Sequence, residues 1–188
     1  GEKEPSADLL KKSIFLGALA LGLLHGIFFI FLEDILILMG ASSDYLPLAM
    51  EYSPLALLAV YFTSLTLILQ AVQLGYGNTA SIMKTNICGN LLNAALSFLL
   101  IRGLGPVPAY GVFGAAIGTA AGTLFSLLYA WFLLKREGFF HGGRWIPDAA
   151  YFKKVGPLFG SVLSEQGSER MGMVLFARMA GGLGTVPF

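Results

Sequence analysis

Two long uncharged runs dominate the polarity pattern of this chain. Residues 52–83 and residues 103–134 contain no Asp, Glu, Lys or Arg, each a run of 32. A helix crosses a hydrocarbon core with about 20 predominantly apolar residues, so each run holds one span and part of a connection. With the neighbouring apolar stretches, the pattern predicts spans at about residues 14–38, 54–76, 85–101 and 111–134. A fifth apolar segment begins at Val155, but Glu165, Glu169, Arg170 and Arg178 interrupt it. Between the fourth and fifth spans, Gly138, Gly142, Gly143 and Pro147 break the hydropathy over about 20 residues, a length that suits a linker between bundles. The prediction is an all-α, polytopic transmembrane helix bundle of five spans. Residues 1–134 form a first bundle, residues 135–154 a linker, and residues 155–188 the first helix of a second bundle, cut short.

Composition agrees with that pattern. The 188 residues are 56% apolar and only 12% charged, about half the charge of an ordinary soluble domain. The net charge of +1 provides no basic field, which argues against a nucleic-acid partner. One cysteine, Cys88, excludes an intrachain disulfide.

The positions of the charges carry more information than their number. Lys3, Lys11, Lys12, Lys84, Lys135, Arg136, Arg144, Lys153 and Lys154 fall on one side of the alternating spans, and Arg102 falls on the other. Positive charge is retained in the cytoplasm. The N-terminus, the loop at Lys84 and the loop 135–154 are therefore expected there, in a plasma membrane of the bacterial inner-membrane type. The polar start Gly-Glu-Lys-Glu-Pro-Ser does not resemble a secretory signal. An odd number of spans and an abrupt end at Thr-Val-Pro-Phe suggest a piece of a longer protein.

Polar residues within the spans supply the candidate chemistry. Asn86, Asn90, Asn93 and Ser97 are spaced 4, 3 and 4, which at about 100° per residue confines them to a wedge about 60° wide. Amides in lipid are costly, so the stripe should face protein or a water-filled cavity, with Asn93 near the membrane midplane. Interhelical hydrogen bonding alone is the competing reading. In span four, Thr119, Thr123 and Ser126 form a second polar row beside Gly114, Gly118 and Gly122, whose spacing allows close backbone approach. Packing and cation coordination both suit Thr119. Span two carries Thr63, Thr66, Gln70 and Gln73, a stripe expected to line or seal an interior.

Carboxylates at membrane depth are functional by default. Glu165 and Glu169 are one turn apart in the fifth span and suit a proton or cation carrier. An ion pair with Arg170 or Arg178 is the alternative. His25 is a lone histidine in the first span, better suited to packing than to proton relay, and two histidines with one cysteine make no zinc site. No HExxH, GxSxG or Walker lysine pattern is present. An enzyme is therefore not expected.

The segment Gly77-Asn78-Thr79-Ala80-Ser81-Ile82-Met83 resembles the G-D-T-R-T-P-M turn of the multidrug and toxic compound extrusion (MATE) transporters, departing at Asn78 and Ile82. Asn86, Asn90 and Asn93 match the asparagine-rich helix that follows that turn, and Leu100-Ile101-Arg102-Gly103 is similar to its L-I-F-G exit. The run from Pro108 to Thr119 is similar to P-x-L-G-V-x-G-A-A-x-A-T. Glu165-Gln166, Arg170, Gly172, Phe176-Ala177-Arg178 and Leu183-Gly184-Thr185 resemble the start of the family's second bundle.

The resemblance implies helices three to seven of a twelve-helix transporter made of two six-helix bundles. It implies a secondary antiporter that exports organic, often cationic, drugs or toxins in exchange for sodium ions or protons, without another cofactor. Its first-bundle cation positions fall on Asn93, Ser97 and Thr119, with Ser97 standing where many members have Asp or Asn. Gln70, Gln73, Asn86, Asn90 and Thr123 become candidates for lining the cavity. The implied partners are a small organic substrate, the lipid bilayer and the remaining helices of the parent transporter. Two other functions fit the architecture: a lipid-linked saccharide flippase, which would need a cationic cavity, and a structural membrane subunit that does not transport.

Overall fold

The computed structural model describes residues 3–39, 41–103 and 106–182, with the side chains of 3–4, 162–163, 166–167, 169–170 and 173–182 left aside. The described residues form helices α1 (Lys3–Ile30), α2 (Leu32–Leu38), α3 (Leu46–Gly75), α4 (Thr79–Arg102), α5 (Gly111–Arg136) and α6 (Ala149–Gly182). The chain divides into two compact units, Gly1–Ile146 and Pro147–Phe188.

Local chemistry accounts for the helix ends, including those that differ from expectation. The first predicted span, 14–38, is two helices. α1 starts as early as Lys3, and Asp8 and Lys12 pair across one turn at 2.7 Å. The helical path breaks at Phe31, and α2 begins with Glu33 and Asp34 in its first turn, where acidic side chains meet the positive end of the helix dipole. α3 begins eight residues before the predicted start at Pro54. Pro47 lies in its first turn, where a missing N–H costs nothing, and Pro54 is carried inside the helix. Gly77, with φ of 70°, turns the chain after α3. Asn78 then caps α4, its side-chain oxygen accepting from the Ser81 N–H at 3.2 Å. α5 ends with Lys135 and Arg136, cations at the negative end of the dipole.

Among the described residues, three helical stretches are long and apolar enough to cross a membrane: Pro5–Ile30, Leu46–Gly75 and Gly111–Arg136. α4 has 24 residues, about 36 Å at 1.5 Å per residue, so its length suffices. Its asparagine stripe lowers its hydropathy. α6, with 34 residues and Pro157 inside it, belongs to the second unit.

In the first unit, α5 packs along α4 on one side and α3 on another, and α1 lies against α3. The consecutive helices α3 and α4 touch each other comparatively little. Near the start of α1 and the ends of α3 and α5, Leu10, Leu69, Ala130, Leu134 and Phe139 form a buried apolar cluster. The segment after α5 folds back onto α1. Lys11, 8% exposed, donates to the Gly142 carbonyl at 2.6 Å, and its ammonium lies 5.6 Å from the Trp145 ring. The Arg144 N–H donates to Asp8 at 2.8 Å, and Trp131, Phe140 and Trp145 stack beside this contact. The outer faces keep Leu23, Phe29, Ile30, Leu67 and Leu128 exposed, surfaces suited to an apolar surrounding.

The α4–α5 contact is backbone against backbone. A Cβ on Gly114 would lie 2.7 Å from the Leu100 carbonyl, one on Gly118 2.7 Å from Ser97 N, and one on Gly122 2.6 Å from Asn93 Cβ and 2.8 Å from the Gly89 carbonyl oxygen. Gly89 receives the same approach from Ser126. Replacing Gly122 by Ala should therefore destabilise the fold by about 1–3 kcal/mol through overpacking. Gly26→Ala, where nothing lies within 4 Å, should stay within about 0.5 kcal/mol of the original. Thermal unfolding in detergent compares the two, and equal losses would contradict the packing described for α4 and α5.

Candidate functional site

The glycine seam decides which polar groups meet. Gly118 and Gly122 of α5 let Ser97 and Asn93 of α4 approach its backbone, and Thr119 lies next to Gly118 on the same helix. The Ser97 hydroxyl donates to Asn93 Oδ1 at 2.9 Å, one turn away on α4. Thr119 Oγ1 lies 3.5 Å from the same Oδ1 and donates to the Ala115 carbonyl at 3.0 Å. All three residues are half-buried. Three neutral oxygens thus converge on one point between α4 and α5.

That donor set has a definite chemical character. Amide and hydroxyl oxygens can turn lone pairs toward a hard cation, which prefers oxygen ligands. None of the three groups gains a proton near neutral pH. No carboxylate is among them, so any cation held here keeps most of its charge uncompensated by these three groups.

A second contact ties α3 to α4. Gln70 Nε2 donates to Asn86 Oδ1 at 2.8 Å, with Gln70 buried and Asn86 on the exposed side of α4. Asn90 is exposed. The Thr123 hydroxyl bonds back to Thr119 O and Ala120 O, both at 3.0 Å, while Thr63 and Thr66 donate to carbonyls of their own helix. Gln73 is fully buried, and neither polar atom of its amide has a hydrogen-bond partner among the described residues. Glu165 is exposed on α6, in the second unit, and the side chain of Glu169 lies outside the described residues, as do those of Arg170 and Arg178.

His25 is tied locally. Its Nδ1 donates to the Leu21 carbonyl at 2.7 Å, and its ring meets Tyr61 edge-on at 5.5 Å. The two residues line an apolar groove of about 430 Å³ between α1 and α3.

Sequence reasoning missed a cluster at the α3–α4 turn. Glu137, just past α5, accepts from Asn78 Nδ2 at 2.8 Å and from the Ser81 hydroxyl at 3.4 Å. The cap at Asn78 was discoverable, since Asn before a helical run is an N-terminal signal. Its partner, 59 residues away, left no trace in spacing.

The family model described as MatE matches residues 4–99, which includes Asn93 and Ser97. A probable multidrug resistance protein NorM of Rhizobium meliloti (strain 1021) is 28% identical over 131 residues, covering 70% of this chain. The match covers 28% of that relative, so the chain spans little more than a quarter of its length. No solved structure matches the chain.

The Gln70–Asn86 bond makes a quantitative prediction. A double-mutant cycle of Gln70→Ala and Asn86→Ala, read by thermal unfolding, should give a coupling of about 0.6–2 kcal/mol, the range for interhelical polar pairs in membranes. Strict additivity would mean that the two amides do not interact.

Proposed function

The chain belongs to the MatE family, and on that footing we propose that it works in a secondary antiporter, an integral membrane protein exporting organic, often cationic, compounds in exchange for sodium ions or protons. The observation that carries this reading is the meeting of Asn93, Ser97 and Thr119 across α4 and α5. These are the three positions onto which the family's first-bundle cation site falls by resemblance.

The chemistry divides the two coupling ions between two places. Neutral oxygens suit sodium, so the Asn93 cluster is the candidate sodium site. A proton needs a titratable group, and Glu165 and Glu169 in the second unit are the candidates for that role. Ser97 in place of an acidic residue leaves the sodium site without a formal charge, which favours weak, readily reversed binding. Such binding suits a cation that must be released in every cycle. Gln70, Asn86, Asn90 and Thr123 are the candidate lining of the interior, with the buried Gln73 sealing it, and no bond-making on the substrate is part of the scheme.

Alternating access would follow from rocking of two bundles about a midplane site. The Lys11, Lys84, Lys135 and Arg136 side of the first unit would face the cytoplasm of a bacterial-type inner membrane. The NorM relative, by its name a probable multidrug resistance protein, supports the drug-export half of this reading.

The test is ion-driven efflux in everted vesicles carrying the full-length protein. Asn93→Ala should weaken sodium-driven export by about tenfold, the effect of losing a ligand interaction of about 1.4 kcal/mol. If coupling is by protons, Glu165→Gln combined with Glu169→Gln should abolish it instead. Export that responds to none of these changes would contradict the proposed coupling.

A further inference from the structure

Gln73 is the one buried side chain among the described residues whose polar atoms have no partner. It is 0% exposed. An amide carries two donors and an oxygen with two acceptor sites, and leaving a buried polar group unmet costs about 1–3 kcal/mol. A residue of that cost needs an explanation in its surroundings.

The helix registers locate those surroundings. Gln70 bonds to Asn86 across the antiparallel α3 and α4. Three residues further along α3, about 4.5 Å, Gln73 comes level with Met83, between Ser81 and Thr85, whose side chains are 9% and 0% exposed. One turn before Gln73, Leu69 packs in the apolar cluster with Ala130 and Leu134 of α5. Gln73 therefore lies where the last turns of α3 and α5 meet the first turns of α4. Among the described polar groups at that junction, Thr85 Oγ1 donates its proton to the Ser81 carbonyl at 2.9 Å, which leaves its lone pairs as acceptors, and the Ser81 hydroxyl donates to Glu137 at 3.4 Å.

We propose that Gln73 binds a buried water molecule at this junction, and that the water bridges α3 to the Ser81–Thr85 face of α4. Water fits the surroundings of Gln73. A water needs two to four polar partners, and the Gln73 amide together with the Thr85 and Ser81 hydroxyls supplies them. The residue is sealed from the outside, so a larger ligand has no way to reach it. The α3–α4 pair is also sparsely packed, and the direct side-chain bond described between them, Gln70 to Asn86, is half-exposed. A bridging water one turn away gives this interface a second polar tie where apolar contact is thin. The proposal concerns the fold of the first unit and holds whichever ion is coupled.

A high-resolution structure of the full-length protein tests it directly. Density for a water within about 3.2 Å of both the Gln73 amide and a Thr85 or Ser81 oxygen is expected. A Gln73 amide bonded directly to a protein group, or packed dry, overturns the proposal. Thermal unfolding of Gln73→Leu gives an independent answer with an opposite sign for the two cases. Loss of a bridging water's anchor should lower the melting temperature by a few degrees, whereas removal of a dry, unmet amide would raise it. An unchanged or higher melting temperature counts against the bridge. Both readouts concern the packing of the first unit and neither measures export, which separates failure of this proposal from failure of the antiporter reading.

Discussion

At Gly118 and Gly122 the backbone of α5 comes so close to Ser97 and Asn93 of α4 that any side chain there would collide with main-chain or Cβ atoms. Helices surrounded by lipid gain nothing from hiding apolar surface from one another, so close packing and polar bonds must hold them together. Small residues every fourth position allow that packing, and here they do more. They carry the Asn93 oxygen to the helix on which Thr119 sits, and the three-oxygen cluster is a product of the close approach. A larger residue at Gly122 would widen the same gap that the cluster spans.

The rest of the first unit arranges itself around α5. α3 reaches it from another side and brings Gln70 and Gln73 inward, while the Gln70–Asn86 bond closes the third edge between α3 and α4. At the end carrying Lys84, the assembly is tied by residues far apart in the chain: Glu137 to Asn78 and Ser81, Lys11 to Gly142, and Asp8 to the Arg144 backbone. The segment 138–145 is consequently held against α1 by specific bonds. The opposite end has fewer such ties among the described residues, and the groove lined by His25 and Tyr61 lies there between α1 and α3.

Much of this was legible in the residues. Charge-free runs located α3 and α5, and the spacing of Asn93, Ser97 and the glycine row pointed to one face on each of two helices. Helix ends were harder, because Pro54 looked like a boundary while α3 simply accommodates it, and because polar Lys3 to Lys12 gave no hint that α1 starts there. The contacts that close the Lys84 end could not be read at all. They pair Asp8 with Arg144 and Asn78 with Glu137, and no periodicity relates positions so distant. Thr123, which its spacing places in a polar row, bonds carbonyls of its own helix through its hydroxyl. Side chains that can bond their own backbone are the ones for which a stripe says least about a ligand.

Cation-dependent stabilisation of the purified full-length protein bears most directly on the Asn93 cluster. At fixed pH and ionic strength, sodium replacing a bulky organic cation should raise the melting temperature of the wild type, leave Asn93→Ala unmoved, and still stabilise Gln70→Ala. Equal sodium shifts in the wild type and Asn93→Ala, or none in the wild type, would contradict a cation site built by the α4–α5 seam.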